Sequence, residues 1–383
     1  MPSKSIDILI IGGGIGGLTT AIACHQVGFS TLILERSPHF SEIGAGIWIP
    51  PNAMQIFKML NISEGFSELG YPIKKIKLAT THSGKLKEMS FRRYKFNILA
   101  IHRAKLQEFL AQHIQENSIL FDTNISGIHQ NDAEVTVQLT TGEILKTKIL
   151  VGADGLHSQV RHVMSHENGI RYSGSTSFRG IAKLDTNTNN MGNTSYEIWA
   201  PGCRLGFSLI SAQEVYWYLT FATRPQNYFS QEEIFSLALS LVRKHFPQHI
   251  NIIHCTKPQH IIQTDISDLK PLKHWSKNRI GLLGDAAHAT RPNLGQGAGQ
   301  AIEDAMALSL SLKKHGLEAK ALEAYHAIRY KKTRFIVNQA RFLGKMCHWS
   351  LPVLQSIRDF AIRNTPKFIE QKMMDKIYRP VIE

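Results

Sequence analysis

The sequence predicts an α/β chain with three parts: a parallel βαβ domain assembled from separated segments, an inserted domain of mostly antiparallel β-sheet, and a C-terminal helical tail. Residues 6–35 read as strand, glycine turn, helix and strand, which is a βαβ unit. Residues 149–155 and 280–288 again run from an apolar strand into a turn of glycine and aspartate. Residues 173–274 alternate apolar and polar positions, as antiparallel strands do.

The clearest antiparallel pair is a hairpin over residues 203–221. Both of its strands alternate apolar and polar residues, so pairing across the turn places a polar row that contains Arg204 and Tyr216 on one face. Residues 299–339 follow a helical pattern, and 345–380 read as a basic, amphipathic helical tail.

Composition and charge exclude several classes of protein. Hydrophobic residues make up 43% and charged residues 19% of the 383 positions, which is typical of a folded chain. The net charge is +14, but 15 Lys or Arg against six Asp or Glu lie after residue 310, so much of the excess is in the tail. The basic residues are not interleaved with aromatic ones in a recognisable module, so no nucleic-acid partner is expected.

The four cysteines are widely spaced and form no CxxC or Cys/His cluster, which argues against a disulfide framework and a metal site. No apolar stretch approaches the ~18 residues of a membrane span, and the short apolar run at residues 8–11 lacks a signal-peptide pattern. We therefore expect a cytoplasmic protein without a metal.

The first motif that carries chemistry is GxGxxG, formed by Gly12, Gly14 and Gly17 between the first strand and helix. These glycines allow a tight turn, the approach of a pyrophosphate to the backbone, and close packing of the helix on the strand. Glu35 closes the second strand, where a carboxylate accepts hydrogen bonds from a ribose hydroxyl. The motif predicts a Rossmann-like dinucleotide site, for either NAD or FAD.

Two further motifs decide between these dinucleotides. Residues 151–161 read VGADGLHSQVR, and residues 281–304 read GLLGDAAHATRPNLGQGAGQAIED. Asp285 emerges at the end of a strand, and the glycines that follow expose backbone N–H groups at a helix N-terminus, which stabilises negative charge of the kind a reduced flavin carries. With GxGxxG, these motifs resemble the class A, single-component flavoprotein monooxygenases of the para-hydroxybenzoate hydroxylase superfamily, over residues 5–340.

The resemblance implies FAD as the cofactor and assigns residues to it motif by motif. The implied cofactor-binding positions are Gly12, Gly14, Gly17, Glu35, Arg36, Gly46, Arg103, Ile125, Asp154, Asp285, Gly295, Gln296, Gly297, Ala298 and Gly299. The first motif, with Glu35 and Arg36, would hold the ADP half.

The remaining assignments place groups along the rest of FAD. Gly46 would lie beside the flavin, and Arg103, in the HRxxL pattern of residues 102–106, would reach the phosphates and the ribitol. Asp154 matches a position associated with both FAD and the nicotinamide donor, and Asp285 matches an aspartate that bonds a ribitol hydroxyl.

Arg204 and Tyr216 are the candidate catalytic residues, because they fall where flavin-dependent urate hydroxylases carry an Arg and a Tyr that contact substrate. The alternative is that both side chains lie on a face of the sheet that is exposed to solvent. Urate hydroxylases have an aspartate where this chain has Asn293. This difference argues against urate as the substrate. Arg204 would be the one strong charge in the pocket and would favour an anionic or strongly accepting substrate group. We expect a structural role for Arg179. We also expect a structural role for His288, for which the alternative role is that of a proton relay.

The resemblance implies that NADH or NADPH reduces the flavin, that O2 adds at flavin C4a, and that a small aromatic or heteroaromatic substrate is hydroxylated. Two alternatives stay open: epoxidation of an isoprenoid or carotenoid-like double bond, as in zeaxanthin epoxidases, and a non-oxygenating flavin reductase on the same fold. For the basic tail the alternatives are a solvated helix face and weak peripheral contact with a membrane. The sequence is compatible with a monomer and with a homodimer.

The expected domain boundaries follow from these motifs. The FAD-binding domain takes residues 1–72, 100–172 and 275–340, the substrate-binding sheet domain takes 73–99 and 173–274, and the C-terminal helical segment takes 341–383.

Overall fold

The computed structural model describes residues 6–40, 45–165, 169–184 and 191–383. Within these ranges the strands form three sheets, of eight, seven and three strands. The strands are β1 (Ile6–Ile11), β2 (Thr31–Leu34), β3 (Gly46–Ile49), β4 (Gly70–Ile73), β5 (Lys75–Thr80), β6 (Gly84–Ser90), β7 (Ile98–His102), β8 (Ile119–Leu120), β9 (Ile125–Gln130), β10 (Val135–Leu139), β11 (Ile144–Gly152), β12 (Ile170–Lys183), β13 (Thr194–Ala200), β14 (Cys203–Leu209), β15 (Glu214–Ala222), β16 (Ile262–Leu269), β17 (Ser276–Lys277) and β18 (Ile280–Leu282). The helices are α1 (Ile15–Gln26), α2 (Pro51–Met59), α3 (Arg103–Ala111), α4 (Gln159–Ser165), α5 (Gln231–His245), α6 (Ile250–His254), α7 (Asp285–His288), α8 (Gly297–His315), α9 (Ala319–Met346), α10 (Pro352–Arg363) and α11 (Lys367–Tyr378).

The first sheet has the order β17-β18-β11-β1-β2-β8, with β10 and β9 attached beside β11. The strand β1 runs parallel to both β11 and β2, and β11 runs parallel to β18. Ile8, Leu9 and Ile10 of β1 are fully buried, because a parallel sheet with both faces covered buries every position along a central strand. The predicted α/β class with a Rossmann-like domain is confirmed.

The parallel arrangement brings together turns that lie far apart in the sequence. Because β1, β11 and β18 are neighbours and run in the same direction, the turns that follow them meet at one edge of the sheet. A Cβ added to Gly12 would lie 2.5 Å from the carbonyl oxygen of Ala153 in the second motif. Arg161 of the second motif donates to the carbonyl of Ala286 in the third, at 3.0 Å.

The second sheet has the order β16-β12-β15-β14-β13-β5-β6, so it combines β12 to β16 with two strands from the first quarter of the chain. Its apolar face packs against α5 and α6: Leu205, Trp217 and Leu219 share a core with Ile234 and Ala238. The third sheet, β3-β7-β4, is formed by strands from the first third of the chain. The domain boundaries themselves stay a prediction.

The C-terminal region is helical, as predicted. The stretch predicted as helical over 299–339 lies in α8 and α9, which are separated at Gly316, where φ is +76°. None of the helices in the described ranges is both long and apolar enough to cross a bilayer.

We expect Gly17→Ala to destabilise the fold even without cofactor. Its added Cβ would lie 2.0 Å from the carbonyl oxygen of Gly12, so the backbone must shift, at a loss of at least about 2 kcal/mol in the free energy of unfolding. Gly14→Ala is the matched control, because its Cβ meets no atom within 4 Å and its φ is −72°. Thermal unfolding of both apoproteins checks this; equal midpoints would contradict the packing described for Gly17.

Candidate active site

The glycine turn after β1 is held by Glu35 at the end of β2. One carboxylate oxygen accepts the N–H of Gly13 at 2.7 Å, and the other accepts the N–H of Ser37 at 2.8 Å. The Cβ position of Gly14 is open, and α1 begins directly after it, so unpaired N–H groups of the helix border free space. The turn therefore presents an anion-binding helix N-terminus with a carboxylate beside it.

Asp285 is the first residue of α7. Its carboxylate reaches solvent although protein surrounds it, and it accepts no hydrogen bond from any described residue. Burial raises the pKa of Asp285, while the nearby His288 and Arg103 act to lower it. Burial and the positive charge of Arg179 lower the pKa of Arg103, while Asp285 acts to raise it. Residues of α3, α7 and β12 thus carry charges close enough to interact, and we call the surface around them the groove.

The N-terminus of α8 borders the same groove. Gly297 and Ala298 are half-buried, and a Cβ on Gly297 would meet no atom within 4 Å. Gly299, by contrast, has no room for a side chain, because a Cβ there would lie 2.6 Å from Cγ of Pro50. A 19-residue helix thus begins with accessible N–H groups, which favours negative charge in front of it.

The side chain of Gln296 turns away from the groove into the protein. It is fully buried, and its carbonyl oxygen accepts from Asn52 at 3.2 Å and from Gln300 at 2.8 Å. Gly295, just before it, has a φ of +60°, and a Cβ there would lie 3.4 Å from the ring of Trp48. Gln296 therefore positions the loop, and any contact it makes with a cofactor comes from its backbone.

These features fit FAD. The open Cβ positions at Gly14 and Gly297 form a cradle that a side chain would fill, and Asp285 offers an acceptor without a hydrogen-bond partner among the described residues. The turn at Gly14 would hold the pyrophosphate, Glu35 the adenosine ribose, Asp285 the ribitol, and the N-terminus of α8 the flavin. These individual assignments remain predictions.

Three of the predicted cofactor positions either make contacts within the protein or lie on its surface. Asp154 caps α4, because its carboxylate accepts from the hydroxyl of Ser158 at 2.6 Å and from the N–H of Gln159 at 2.7 Å. Arg36 is exposed beside Glu35. Ile125 lines a surface cleft together with residues of α4. Residues 41–44 of the predicted flavin loop lie outside the described residues.

Tyr216 and Gly46 meet where the second and third sheets touch. A Cβ on Gly46 would lie 2.4 Å from Cγ of Tyr216, so only glycine lets the ring approach β3 this closely. Burial raises the pKa of the Tyr216 hydroxyl, and the positive charges of Arg179 and Arg204 act against this rise. The two predicted catalytic residues are therefore near each other, on the polar face of the hairpin.

The polar row of the hairpin is buried rather than solvated. Arg204 is 1% exposed and donates from Nη1 to Oε1 of Glu197 on β13, at 3.2 Å. The same carboxylate accepts from the hydroxyl of Tyr218 and from Nε1 of Trp199, both at 2.6 Å. The second terminal nitrogen of Arg204 donates to the side-chain oxygen of Asn293 at 3.5 Å. This contact links the second sheet to the loop before α8.

The expectation that Arg204 is the one strong charge of the pocket is wrong, because Glu197 neutralises it. The side chain of Glu197 is 15% exposed, against 2% for that of Arg204, so the more accessible member of the pair is the carboxylate. The sequence contains no local signal for Glu197, which stands in an ordinary alternating strand. Its role follows from the register that sets Trp199 opposite Arg204.

His348, just after α9, is a second residue that sequence reasoning missed. Its Nδ1 lies 3.0 Å from the carbonyl oxygen of Gly344, which can only accept, so Nδ1 carries the proton. Its Nε2 then accepts from the hydroxyl of Thr220 at 3.1 Å, and Thr220 accepts from Nε of Arg204 at 3.3 Å. Burial and the charge of Arg204 lower the pKa of His348 to about 4, so the ring is neutral at pH 7.

A buried charge cluster lies behind the N-terminus of α8. Glu303 and Asp304 are fully buried and bind Arg329 of α9 at 2.5 and 2.7 Å, and Lys332 binds Glu303 at 2.6 Å. His288 lies 2.5 Å from Asp304 and is 5% exposed. Although burial acts to raise it, the nearby His288 and Arg329 lower the pKa of Asp304 to about 2. This geometry matches the structural role expected for His288.

Comparison with known proteins agrees with this site. The family model described as FAD binding domain matches residues 5–340. The chain is 32% identical to the aurachin C monooxygenase/isomerase of Stigmatella aurantiaca, with 94% of each chain covered. It is 27% identical to the 2-heptyl-3-hydroxy-4(1H)-quinolone synthase of Pseudomonas aeruginosa (strain UCBPP-PA14), with 99% of each covered.

The fold is shared with a solved structure of Klebsiella pneumoniae HpxO complexed with FAD and uric acid. The TM-score is 0.89 at 24% identity, and the match covers 97% of this chain and 96% of the other. The predicted cofactor, FAD, is confirmed, and hydroxylases of this family use NAD(P)H as the electron donor. The chain thus belongs to the class A FAD-dependent monooxygenases, a family of aromatic and heteroaromatic hydroxylases.

Proposed function

We propose that the enzyme hydroxylates a neutral, bicyclic N-heteroaromatic ring of the 4-quinolone class that carries an apolar side chain. NADH or NADPH and O2 would be the co-substrates. Bound FAD supplies the activation of oxygen, and the protein binds and orients the ring and excludes water. The neutralised Arg204–Glu197 pair is the observation that carries the proposal.

The charge balance at this pair favours a neutral substrate. An anionic group that approaches Arg204 would have to compete with Glu197, which already occupies Nη1 at 3.2 Å and is the more accessible partner. A ring N–H or hydroxyl, by contrast, can donate to the Glu197 carboxylate as a charge-assisted hydrogen bond. A 4-quinolone offers an N–H donor and a carbonyl acceptor on one rigid ring, and it carries no charge.

The groups around the pair complete this selectivity. Trp48, Tyr216 and Leu294 belong to one apolar cluster where the sheets meet, and they offer aromatic and aliphatic surface to a bicyclic ring and its chain. Trp48 also donates to the hydroxyl of Ser208 at 3.2 Å, which holds the indole against the second sheet. Asn293 can donate or accept a hydrogen bond but cannot act as a carboxylate base.

The similar proteins support the same substrate class. One relative bears in its name a 4(1H)-quinolone with a heptyl chain and a 3-hydroxyl group. A 3-hydroxyl on a heteroaromatic ring is the kind of group that a hydroxylase of this family adds. The match covers 99% of each chain, so the similarity extends beyond the FAD motifs and includes residues 173–274.

The proposal is tested with the purified holoenzyme. We expect NAD(P)H oxidation coupled to a product 16 mass units heavier with a 2-alkyl-4(1H)-quinolone. Much slower turnover is expected with 3-hydroxybenzoate, urate and an isoprenoid. Faster coupled turnover of an aromatic acid would overturn the proposal, an epoxide from the isoprenoid would favour epoxidation, and NAD(P)H oxidation without an oxygenated product would favour a reductase.

We expect Asp285→Ala to lose FAD while keeping its fold. Removing an acceptor for a cofactor hydroxyl should weaken binding by roughly 10- to 100-fold, the equivalent of one charged hydrogen bond. The flavin-to-protein absorbance ratio after dialysis and a titration of apoprotein with FAD measure this. Glu143→Ala, an exposed carboxylate in a hairpin turn, is the control. An unchanged dissociation constant for Asp285→Ala would contradict its assignment to the cofactor.

We expect Glu197→Gln to shift specificity toward anionic rings. The substitution removes the charge that neutralises Arg204, so the KM for an aromatic acid should fall by about tenfold while kcat/KM for the quinolone falls. Glu214→Gln, a carboxylate on β15 that bonds Ser211, is the matched control and should change neither value. If the ratio of the two specificities stays at the wild-type value, Glu197 does not set substrate charge.

We expect His348 to make stability depend on pH in acid. Its pKa is about 4 in the folded protein, against about 6.5 for an unperturbed histidine, so between these values the unfolded chain binds a proton that the folded chain does not. Stability should therefore fall as pH drops from 6.5 to 4, by up to about 3 kcal/mol from this residue. Denaturant unfolding of His348→Gln against wild type measures the difference; parallel pH profiles would contradict a buried neutral imidazole.

A further inference from the structure

The helix α10 has an inverted distribution of polar and apolar side chains. Val353, Ile357 and Phe360 are 71%, 59% and 71% exposed. Arg358 and Asp359 of the same helix are 3% exposed each. A helix on the surface of a globular protein normally buries its apolar stripe, so this arrangement is unlike that of an ordinary surface helix.

Specific polar contacts hold α10 in this orientation. Asp359 accepts from the hydroxyl of Ser83 at 2.6 Å, and Arg358 donates to Asp359 at 2.8 Å. The guanidinium of Arg358 also lies over the ring of Trp199, 4.9 Å from its centroid. Because these contacts fix the polar face inward, the apolar residues point outward as part of the folded structure.

The exposed apolar surface continues on both sides of α10. Leu351, just before the helix, is 62% exposed. Phe368, the second residue of α11, is 69% exposed, and only three residues separate α11 from the end of α10. We call Leu351, Val353, Ile357, Phe360 and Phe368 the C-terminal ridge. An exposed group of large apolar side chains of this kind marks an interaction surface.

Positive charge adjoins the ridge. Phe368 also lines a cleft with Arg93, Lys372, Asp375, Lys376 and Arg379. Asp375 is bound by Arg93 and by Arg379, both at 3.1 Å, so the charges of the two lysines are left without a carboxylate partner in the cleft. Glu370, the other acidic residue of α11, is paired with Lys87 at 3.0 Å.

We propose that the C-terminal ridge and this basic cleft dock the enzyme on an anionic lipid surface. Large apolar side chains beside lysines fit the boundary between headgroups and acyl chains, where the side chains insert and the ammonium groups meet phosphates. A second copy of the chain fits less well, because a two-fold contact through the ridge would bring two clefts of like charge together. The docking does not depend on the identity of the substrate.

Co-sedimentation of the holoenzyme with vesicles tests the proposal. Vesicles of phosphatidylcholine alone are compared with vesicles in which about a third of the lipid is phosphatidylglycerol. We expect at least tenfold stronger binding to the anionic vesicles, weakened by added salt. Equal binding to both vesicle types, or none, would overturn the proposal.

Two double variants separate the apolar and the charged contributions. Ile357→Ser with Phe360→Ser should reduce binding to anionic vesicles at least tenfold, and Lys372→Gln with Lys376→Gln should remove the preference for anionic lipid. Ile144→Ser, at an Ile that is 59% exposed on β11, and Lys313→Gln with Lys314→Gln, at exposed lysines that end α8, are the matched controls. Flavin content and circular dichroism report folding. Unchanged binding in both test variants would overturn the proposal.

Sedimentation equilibrium distinguishes lipid from a second copy. A monomer whose state does not change in the Ile357→Ser, Phe360→Ser variant supports lipid docking. A wild-type dimer that this variant dissociates would assign the ridge to self-association and overturn the proposal.

Discussion

The buried charge cluster at Glu303 and Asp304 is the constraint on which the cofactor groove depends. Two adjacent carboxylates without solvent access are stable only when opposite charges and hydrogen bonds surround them, and Arg329 and Lys332 of α9 supply these. Removing one partner of such a cluster costs about 3–5 kcal/mol. Because both carboxylates lie in the second turn of α8, the cluster fixes where the N-terminus of that helix points, and hence where negative charge is stabilised in the groove.

The same cluster ties the C-terminal end of the chain to the FAD-binding domain. Glu303 accepts the N–H of Val381 at 3.1 Å, and Lys332 donates to the carbonyl of Arg379 at 2.6 Å. The helix α9, which carries Arg329 and Lys332, ends at Met346. His348, two residues further on, bonds Thr220 of the second sheet. The helix α9 and the residue His348 just after it therefore contact both the first and the second sheet.

Much of this arrangement could be predicted because its signals are local. The βαβ unit, the three glycine-rich motifs and the alternating hairpin each lie within a few consecutive residues, and parallel strand order then brings the motifs to one edge. Glu197 and His348 could not be found in this way. Glu197 reaches Arg204 only through the register of β13 against β14, and His348 reaches Thr220 only through the path of α9. Both contacts are properties of tertiary packing.

The inversion of α10 escaped sequence reasoning for a related reason. Its apolar residues have helical spacing, which ordinarily predicts a buried stripe. Its polar residues, however, find partners in the turn before β6 and at Trp199 that no local pattern reveals.

The physical need to neutralise Arg204 connects the fold to the substrate class proposed above. A guanidinium that is 1% exposed cannot remain charged without a nearby anion, and although burial acts to lower it, the pKa of Arg204 is raised by Glu197. The carboxylate thus stabilises the buried guanidinium before any substrate arrives. A substrate anion would have to displace a partner that is held by Tyr218 and Trp199 as well, whereas a neutral donor only adds one more hydrogen bond to Glu197. In the proposed function, the interaction that allows the arginine to be buried is also the one that favours an uncharged ring.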